Sequence, residues 1–323
     1  MRWEIIKFYQ PRLVISKCIN FAACRYNAEV IKDEFIANLE EFVDFIRVCP
    51  EVEIGLGVPR DSLRLVKKDN EIRLIQNKTD KDFTAEMKDF ADDFITELKE
   101  VDGFILKNRS PSCGVKDTKV YVNDIPGDSA AGIFAQQIKK AFPNKVFENE
   151  GRLKNYQIRE DFLTKIFVLA HFRTIKQEAK MKDLVKFQSK HKYLFMSYDQ
   201  KQLKVLGRIV ANHKQLDNVE VFKQYEKKLR KMLSTERDYK SNINVLMHIM
   251  GYFSDELSAE EKEYFLATIK KYKKAKLPLS VPLGILKGWA IRYKKDYLKQ
   301  QSFLTPYPEE LVEIKDSGKG RDL

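Results

Sequence analysis

Hydrophobic and polar positions follow two different rhythms along this chain, and the change comes near residue 150. Before it, short apolar runs of strand length alternate with apolar residues three to four apart, as they do in α/β units. Leu13–Ser16 (LVIS) reads as a strand running into Cys18 and a turn. Phe35, Leu39, Phe42 and Ile46 recur at helical spacing and predict one helix over FIANLEEFVDFI. The following RVCPEVEIGLGVPR stretch reads as an irregular loop, with Pro50 holding Cys49 in an extended backbone. Met87, Phe90, Phe94 and Leu98 form a second helical stripe, and Gly103–Lys107 predicts a short buried strand that ends at Asn108–Gly114. A third helix is expected over Ser129–Ala141.

Beyond Gly151 the pattern becomes long segments rich in Lys, Glu, Leu and Phe, with few β-branched runs, and reads as all-α. Polar Glu148–Asn155 marks the change, and Pro278 and Pro282 break the helices before a last one near Leu283–Gln300. The expected organisation is an α/β domain with a mainly parallel sheet over residues 1–150, an all-α domain over 151–316, and a frayed tail over 317–323. At 323 residues the chain is long enough for two domains that each bury a core.

Charge sharpens this division. Residues 1–150 carry 23 Lys and Arg against 26 Asp and Glu, so the net +12 of the chain arises entirely in the second half, at +15. All four cysteines lie in the first half and all four histidines in the second. No window reaches the roughly 18 consecutive apolar residues of a membrane span, and the charged start MRWEIIKFYQ lacks the apolar core of a signal peptide. A cytoplasmic protein without a membrane partner is expected. In a reducing compartment its cysteines are free, metal-bound or catalytic rather than disulfide-bonded.

The spacing Cys18-x5-Cys24-x24-Cys49-x63-Cys113 fits neither a zinc ribbon nor a linear ferredoxin run. Taken alone, it is equally consistent with cysteines packed as small hydrophobes. The neighbours point elsewhere: Ser16 and Lys17 precede Cys18, Arg25 follows Cys24, Glu51 follows Cys49, and Ser110, Ser112 and Gly114 surround Cys113. Cys18 and Cys113 also follow predicted strands, where open α/β sheets place their ligands. Three thiolates from separate loops would bind three irons of a cubane cluster and leave the fourth open to a sulfur ligand.

The blocks VISKC (Val14–Cys18), CRYNA (Cys24–Ala28), CPEVEIGLGVPR (Cys49–Arg60) and LKNRSPSCGV (Leu106–Val115) resemble the thiouracil desulfidase (TudS-like) family. LAHFRTIK (Leu169–Lys176), FQSKHKYLFMSY (Phe187–Tyr198), LGRIVANH (Leu206–His213) and QSFLTPYPEEL (Gln301–Leu311) resemble the YbgA-type domain. The first resemblance implies a 4Fe-4S cluster on Cys18, Cys49 and Cys113, whose open iron takes sulfur from a thiolated pyrimidine or nucleotide such as thiouracil or 4-thio-UMP. It implies Glu51 as the acid/base, Ser110 or Ser112 as the serine near the substrate, and a hydrolytic product carrying oxygen in place of sulfur. Cys24 is left outside the ligand set. The chain departs from the family pattern at Cys18–Phe21 and Arg25–Ala28, which bears on the shape of the pocket.

A phosphorylated substrate needs cations, and Arg25, Arg60, Lys107 and Arg109 lie inside these blocks. The basic second half raises a competing expectation, a nucleic-acid-binding protein with a redox-sensing cluster. Its lysine runs are interleaved with apolar residues, however, as on solvated helix faces. His171, His191 and His213 lack two-histidine metal spacing and read as packed or phosphate-contacting; His191, Lys192 and Tyr193 with Arg173 are the candidates for a nucleotide contact.

Overall fold

The computed structural model describes residues 7–313, so the expected frayed tail at 317–323 lies outside the described residues. They form two compact units. One holds Gln10–Ala170 with residues 311–313; the other holds His171–Glu310 with residues 7–9.

The first unit is α/β. Its elements are β1 (Arg12–Ser16), α1 (Glu34–Leu39), β2 (Asp44–Val48), α2 (Pro50–Glu53), β3 (Leu63–Lys68), β4 (Glu71–Gln76), α3 (Thr84–Glu97), β5 (Gly103–Leu106), β6 (Thr118–Val122), β7 (Ile125–Ala130), α4 (Ile133–Ala141), β8 (Val146–Asn149) and the start of α5 (Tyr156–Glu178). The expected parallel sheet is present in the order β2-β1-β5-β8, every pair parallel. β1 and β5 are continuous buried runs, as strands covered on both faces must be. Chain order reverses beside β1, which makes the carboxyl ends of β1, β2 and β5 the natural crevice.

The helix expected across residues 35–46 is shorter. Asp33 caps α1 by accepting from the Ile36 amide, Phe35 and Leu39 are buried, and the helix stops at Leu39. Asp44–Val48 is instead drawn into register beside β1, Arg12 opposite Asp44 and Ser16 opposite Val48. Strand pairing overrides a helical spacing that Phe42 and Ile46 share by coincidence. The stretch read as irregular contains α2, with Pro50 at its first turn, where the missing N–H costs nothing.

A second four-stranded sheet, β4-β3-β6-β7, has no counterpart in the sequence reading. Two hairpins build it, turning at Asp69-Asn70 and Asn123-Asp124, all four residues at positive φ. Asn and Asp tolerate that region, which two-residue hairpin turns require. β3 and β6 join the hairpins in parallel.

The second unit is helical, as expected: α6 (Met181–Lys190), α7 (Lys192–Tyr198), α8 (Gln200–Ala211), α9 (Asn218–Leu233), α10 (Tyr239–Met250), α11 (Ala259–Lys273), α12 (Ser280–Arg292) and α13 (Asp296–Lys299) follow the end of α5. Phe172, Phe187, Phe195, Phe222 and Tyr225 are almost wholly buried at its centre. Among the described residues no helix is long and apolar enough to cross a membrane.

Candidate functional site

Three strand ends of the parallel sheet deliver the chemistry. Cys18 lies two residues beyond β1, Cys49 directly follows β2 and caps α2, and Cys113 sits in the loop after β5. Cys24, on the loop between β1 and α1, joins them. All four are free thiols with 5–8% of their surface exposed. Cys24 hydrogen-bonds both Cys18 and Cys49, and the Cys49 thiol also donates to the Cys24 carbonyl at 3.6 Å. Cys113 contacts the hydroxyls of Ser16 and Ser110.

The environment favours the neutral thiol at Cys24, Cys49 and Cys113. The Cys24 thiol is pushed up to about 11, chiefly by its hydrogen bond with Cys18, while the bond with Cys49 and the Arg60 guanidinium oppose the shift. Cys49 is raised through its hydrogen bond with Cys24 and by burial, and Cys113 chiefly by burial. Thiols held this way surrender protons when a cation takes the sulfurs.

Next to them lies a fixed charge pair. Glu51, in the first turn of α2, accepts from Arg60 at both Nε (3.0 Å) and Nη2 (2.5 Å) through Oε2. Its Oε1 accepts from the Ser112 hydroxyl at 2.7 Å. Arg60 also donates from Nη1 to the carbonyls of Cys24 (3.0 Å) and Gly57 (3.1 Å), and its side chain is 5% exposed. One guanidinium thus ties the Cys24 loop, α2 and the carboxylate together, in the fork geometry that lysine lacks.

The Cys113 loop is built from within. Ser110 Oγ accepts from the amides of Ser112 (3.3 Å) and Cys113 (3.0 Å), while its carbonyl accepts from Gly114 N and Thr118 Oγ1, both at 2.8 Å. A Cβ at Gly114 would stand 2.0 Å from Thr118 Oγ1, and one at Gly132 would stand 2.5 Å from the Ser112 backbone, so both must be glycine. Lys107 Nζ is taken by Glu150 (2.6 Å), the Asn108 carbonyl (2.9 Å) and the Asn108 side chain. Glu150 also accepts from Asn108 N, and Ser16 Oγ from Lys107 N, both at 2.9 Å. These bonds pin the end of β5 to its two neighbouring strands.

Cys18, Cys49, Cys113, Glu51, Arg60, Ser110 and Ser112 are thus gathered at one end of the sheet. Arg25 instead pairs with Glu29 at 3.0 Å and lies over the Tyr26 ring. Arg109, at positive φ, lines a cavity of about 1050 Å³ that runs from Pro111 over the second sheet. Arg64, Lys116 and Lys119 line it too, against a single acidic residue, Asp117. Arg64 Nε is buried there without a hydrogen-bond partner. Sequence reasoning missed Arg64 and Lys119 because they belong to the unanticipated hairpins, and Lys116 because it leads into one. It missed Glu150 because the polar stretch around it reads as a domain boundary.

Among the described residues no three His, Cys, Asp or Glu side chains form the close group that a single metal ion needs. A cubane cluster makes a different demand, one thiolate for each iron it anchors. Soft, buried sulfurs on three separate strand ends, with no histidine in the set, suit iron–sulfur ligation.

Comparison with known proteins finds separate similarities for the two parts of the chain. Residues 13–150 match the family model described as 2-thiouracil desulfurase, and residues 192–308 match a family described as a protein of unknown function, DUF1722. The Escherichia coli (strain K12) protein described as uncharacterized protein YbgA is 27% identical over 158 residues, 48% of this chain and 93% of its own length. The Bacillus subtilis (strain 168) uncharacterized protein YbbK is 28% identical over 149 residues, 43% of this chain and 96% of its own. Among solved structures, the [4Fe-4S]-dependent thiouracil desulfidase TudS matches at 21% identity and a TM-score of 0.34, over 45% of this chain and 93% of that one. Both resemblances carried by the motifs are therefore borne out.

Proposed function

We propose that the α/β unit is an iron–sulfur desulfidase that replaces the sulfur of a thiolated pyrimidine, as free base or nucleotide, with oxygen. The observation that carries this reading is the Glu51–Arg60–Ser112 network fixed beside buried thiols, within the segment that matches the 2-thiouracil desulfurase family. Cys18, Cys49 and Cys113 would hold a 4Fe-4S cluster, which when bound supplies a Lewis-acidic iron for the thiocarbonyl sulfur. The overall change is hydrolytic: a carbon–oxygen bond forms, the carbon–sulfur bond breaks, sulfur leaves as sulfide, and no net electrons are needed.

The protein's own groups manage the proton. Glu51 Oε1 takes it from the attacking water and returns it to the ring or the departing sulfur. Arg60 keeps Oε2 occupied and so presents Oε1. Ser112 donates to that same oxygen and fixes its direction. Ser110 shapes the Cys113 loop, and Cys24 stays outside the ligand set. A substrate phosphate would lie in the cavity at Arg109, Lys116 and Lys119, with Arg64, paired with Asp124 at 2.6 Å, in its wall.

The test is metal analysis of anaerobically purified protein, followed by ultraviolet assay of thiouracils and 4-thio-UMP. About four irons and four sulfides per chain, with desulfidation, are expected for the wild type, and neither for Cys49→Ser. Zinc in place of iron, or unchanged thio compounds with cluster-loaded protein, would overturn the proposal.

A further inference from the structure

The three sulfurs proposed as cluster ligands do not stand in equal surroundings. Cys18 and Cys49 both meet the thiol of Cys24. Cys113 meets two hydroxyls instead, those of Ser16 and Ser110. Ser110 belongs to the loop that carries Cys113, whereas Ser16 is the last residue of β1, the strand paired with β5. A buried parallel strand calls for apolar side chains, and a hydroxyl placed there costs stability unless it is hydrogen-bonded. Ser16 follows Leu13, Val14 and Ile15 and is itself only 1% exposed.

The direction of its bond to Cys113 follows from the partners on either side. Ser16 Oγ accepts from the Lys107 amide at 2.9 Å, just past the end of β5. A hydroxyl has one hydrogen besides its lone pairs, and that hydrogen remains for the sulfur. A free thiol can also donate, but a metal-bound sulfur has given up its proton and only accepts. Ser110 is constrained in the same way, because its Oγ already accepts from the amides of Ser112 and Cys113. A ligated Cys113 sulfur therefore receives hydrogen bonds from two sides, one from its own loop and one from the neighbouring strand.

We propose that Ser16 is a positioning residue for the cluster: its hydroxyl, oriented by the Lys107 amide, donates to the Cys113 sulfur, draws negative charge from that ligand and leaves the open iron a stronger acceptor for a thiocarbonyl sulfur. Hydrogen bonds to the sulfurs of a cluster set its reduction potential along with net charge and exposure, and the partners of ligating side chains tune the metal through the ligand. This role presupposes the cluster of the desulfidase reading and adds to it a residue outside the Glu51–Arg60–Ser112 network.

The experiment is a redox titration of the full chain, reconstituted without oxygen and followed by visible absorption, with wild type beside Ser16→Ala. Loss of the donor should lower the ratio of reduced to oxidised cluster at a fixed poise about tenfold, which is about 59 mV for one electron. Ser16→Thr keeps the hydroxyl and should return the wild-type potential. Asn108→Ala removes a neutral side chain that Lys107 Nζ holds at the same strand end. It should lower the melting temperature and leave the potential in place, which separates hydrogen-bond donation from support of β5. Reconstitution in heavy water gives a reading that needs no variant, since an O–D donor shifts the iron–Sγ stretching bands of the resonance Raman spectrum. Equal potentials in wild type and Ser16→Ala, an equal shift in Asn108→Ala, or Raman bands indifferent to deuterium would overturn this role and leave the desulfidase reading intact. A wild-type chain that takes up no cluster would overturn both.

Discussion

The α/β unit and the helical unit each bury a chain of hydrogen-bonded polar groups, yet the two have opposite characters. In the α/β unit, thiols stand beside a carboxylate gripped by a guanidinium, on loops at strand ends, and the Cys113 loop continues into a cavity. In the helical unit, Ser302 Oγ lies 2.7 Å from His191 Nδ1, and His191 Nε2 lies 2.9 Å from His171 Nδ1. Taken as a diagram, this second chain has the order of an activated nucleophile. Tyr9, however, lies flat on His171 with ring centres 4.3 Å apart, Phe187 and Phe195 pack on His191, and Ser302 is 3% exposed. Burial lowers the proton affinity of both rings, so the pair is held neutral. A fixed charge pair, on a loop that leads to a cavity, distinguishes the proposed reaction site from a neutral network that locks helices together.

The comparison breaks most visibly at Glu51. Glu51→Gln keeps the size and the Ser112 contact but removes the proton carrier, and turnover should fall about 10²–10⁴-fold with iron content unchanged. Anaerobic assay beside metal analysis checks both halves of that statement. Retained turnover would reduce Glu51 to a partner of Arg60.

How far this contrast could be read from sequence depends on distance along the chain. Cys18, Cys49 and Cys113 stand in local blocks whose composition marks them, and β1, α3 and β5 follow their periodicities. The second sheet escaped because its turns are Asp-Asn and Asn-Asp rather than glycine-containing pairs, and its strands are short and charged. Glu150 and Lys107 meet across 43 positions and Ser302 and His191 across 111, and no period encodes such pairs. His171 and His191 could be read as packed, but not as packed on each other.

The histidine pair gives the next largest effect, through pH. An unfolded histidine titrates near its ordinary value of 6.5, whereas burial lowers folded His171 to about 3. The native state therefore favours the neutral ring: its contribution is complete above about 6.5, and it is lost as the pH falls towards 3. At pH 5 the loss from His171 alone is about 2 kcal/mol, with His191 acting in the same direction. Urea unfolding followed by the fluorescence of Trp289, which packs on Phe253 and Phe265, should show it in a Trp3→Phe background. Stability that stays flat from about pH 6.5 to 5 would mean that the pair is hydrated and accessible and that it does not differ from the α/β site in this respect.

The smallest expected effect is at Ser302. Ser302→Ala removes the hydroxyl that meets His191 Nδ1 and leaves that nitrogen buried without its partner, a cost of about 1 kcal/mol or slightly more. Ser302 N still donates to the Lys190 carbonyl at 3.1 Å, so the loop stays in place. Desulfidation should then be unchanged within a factor of about two, since a purely structural hydrogen bond contributes nothing specific to the transition state. A tenfold fall in turnover at undiminished stability would show that the helical unit supplies a reacting group, and the contrast between a working site and a locking network would no longer hold.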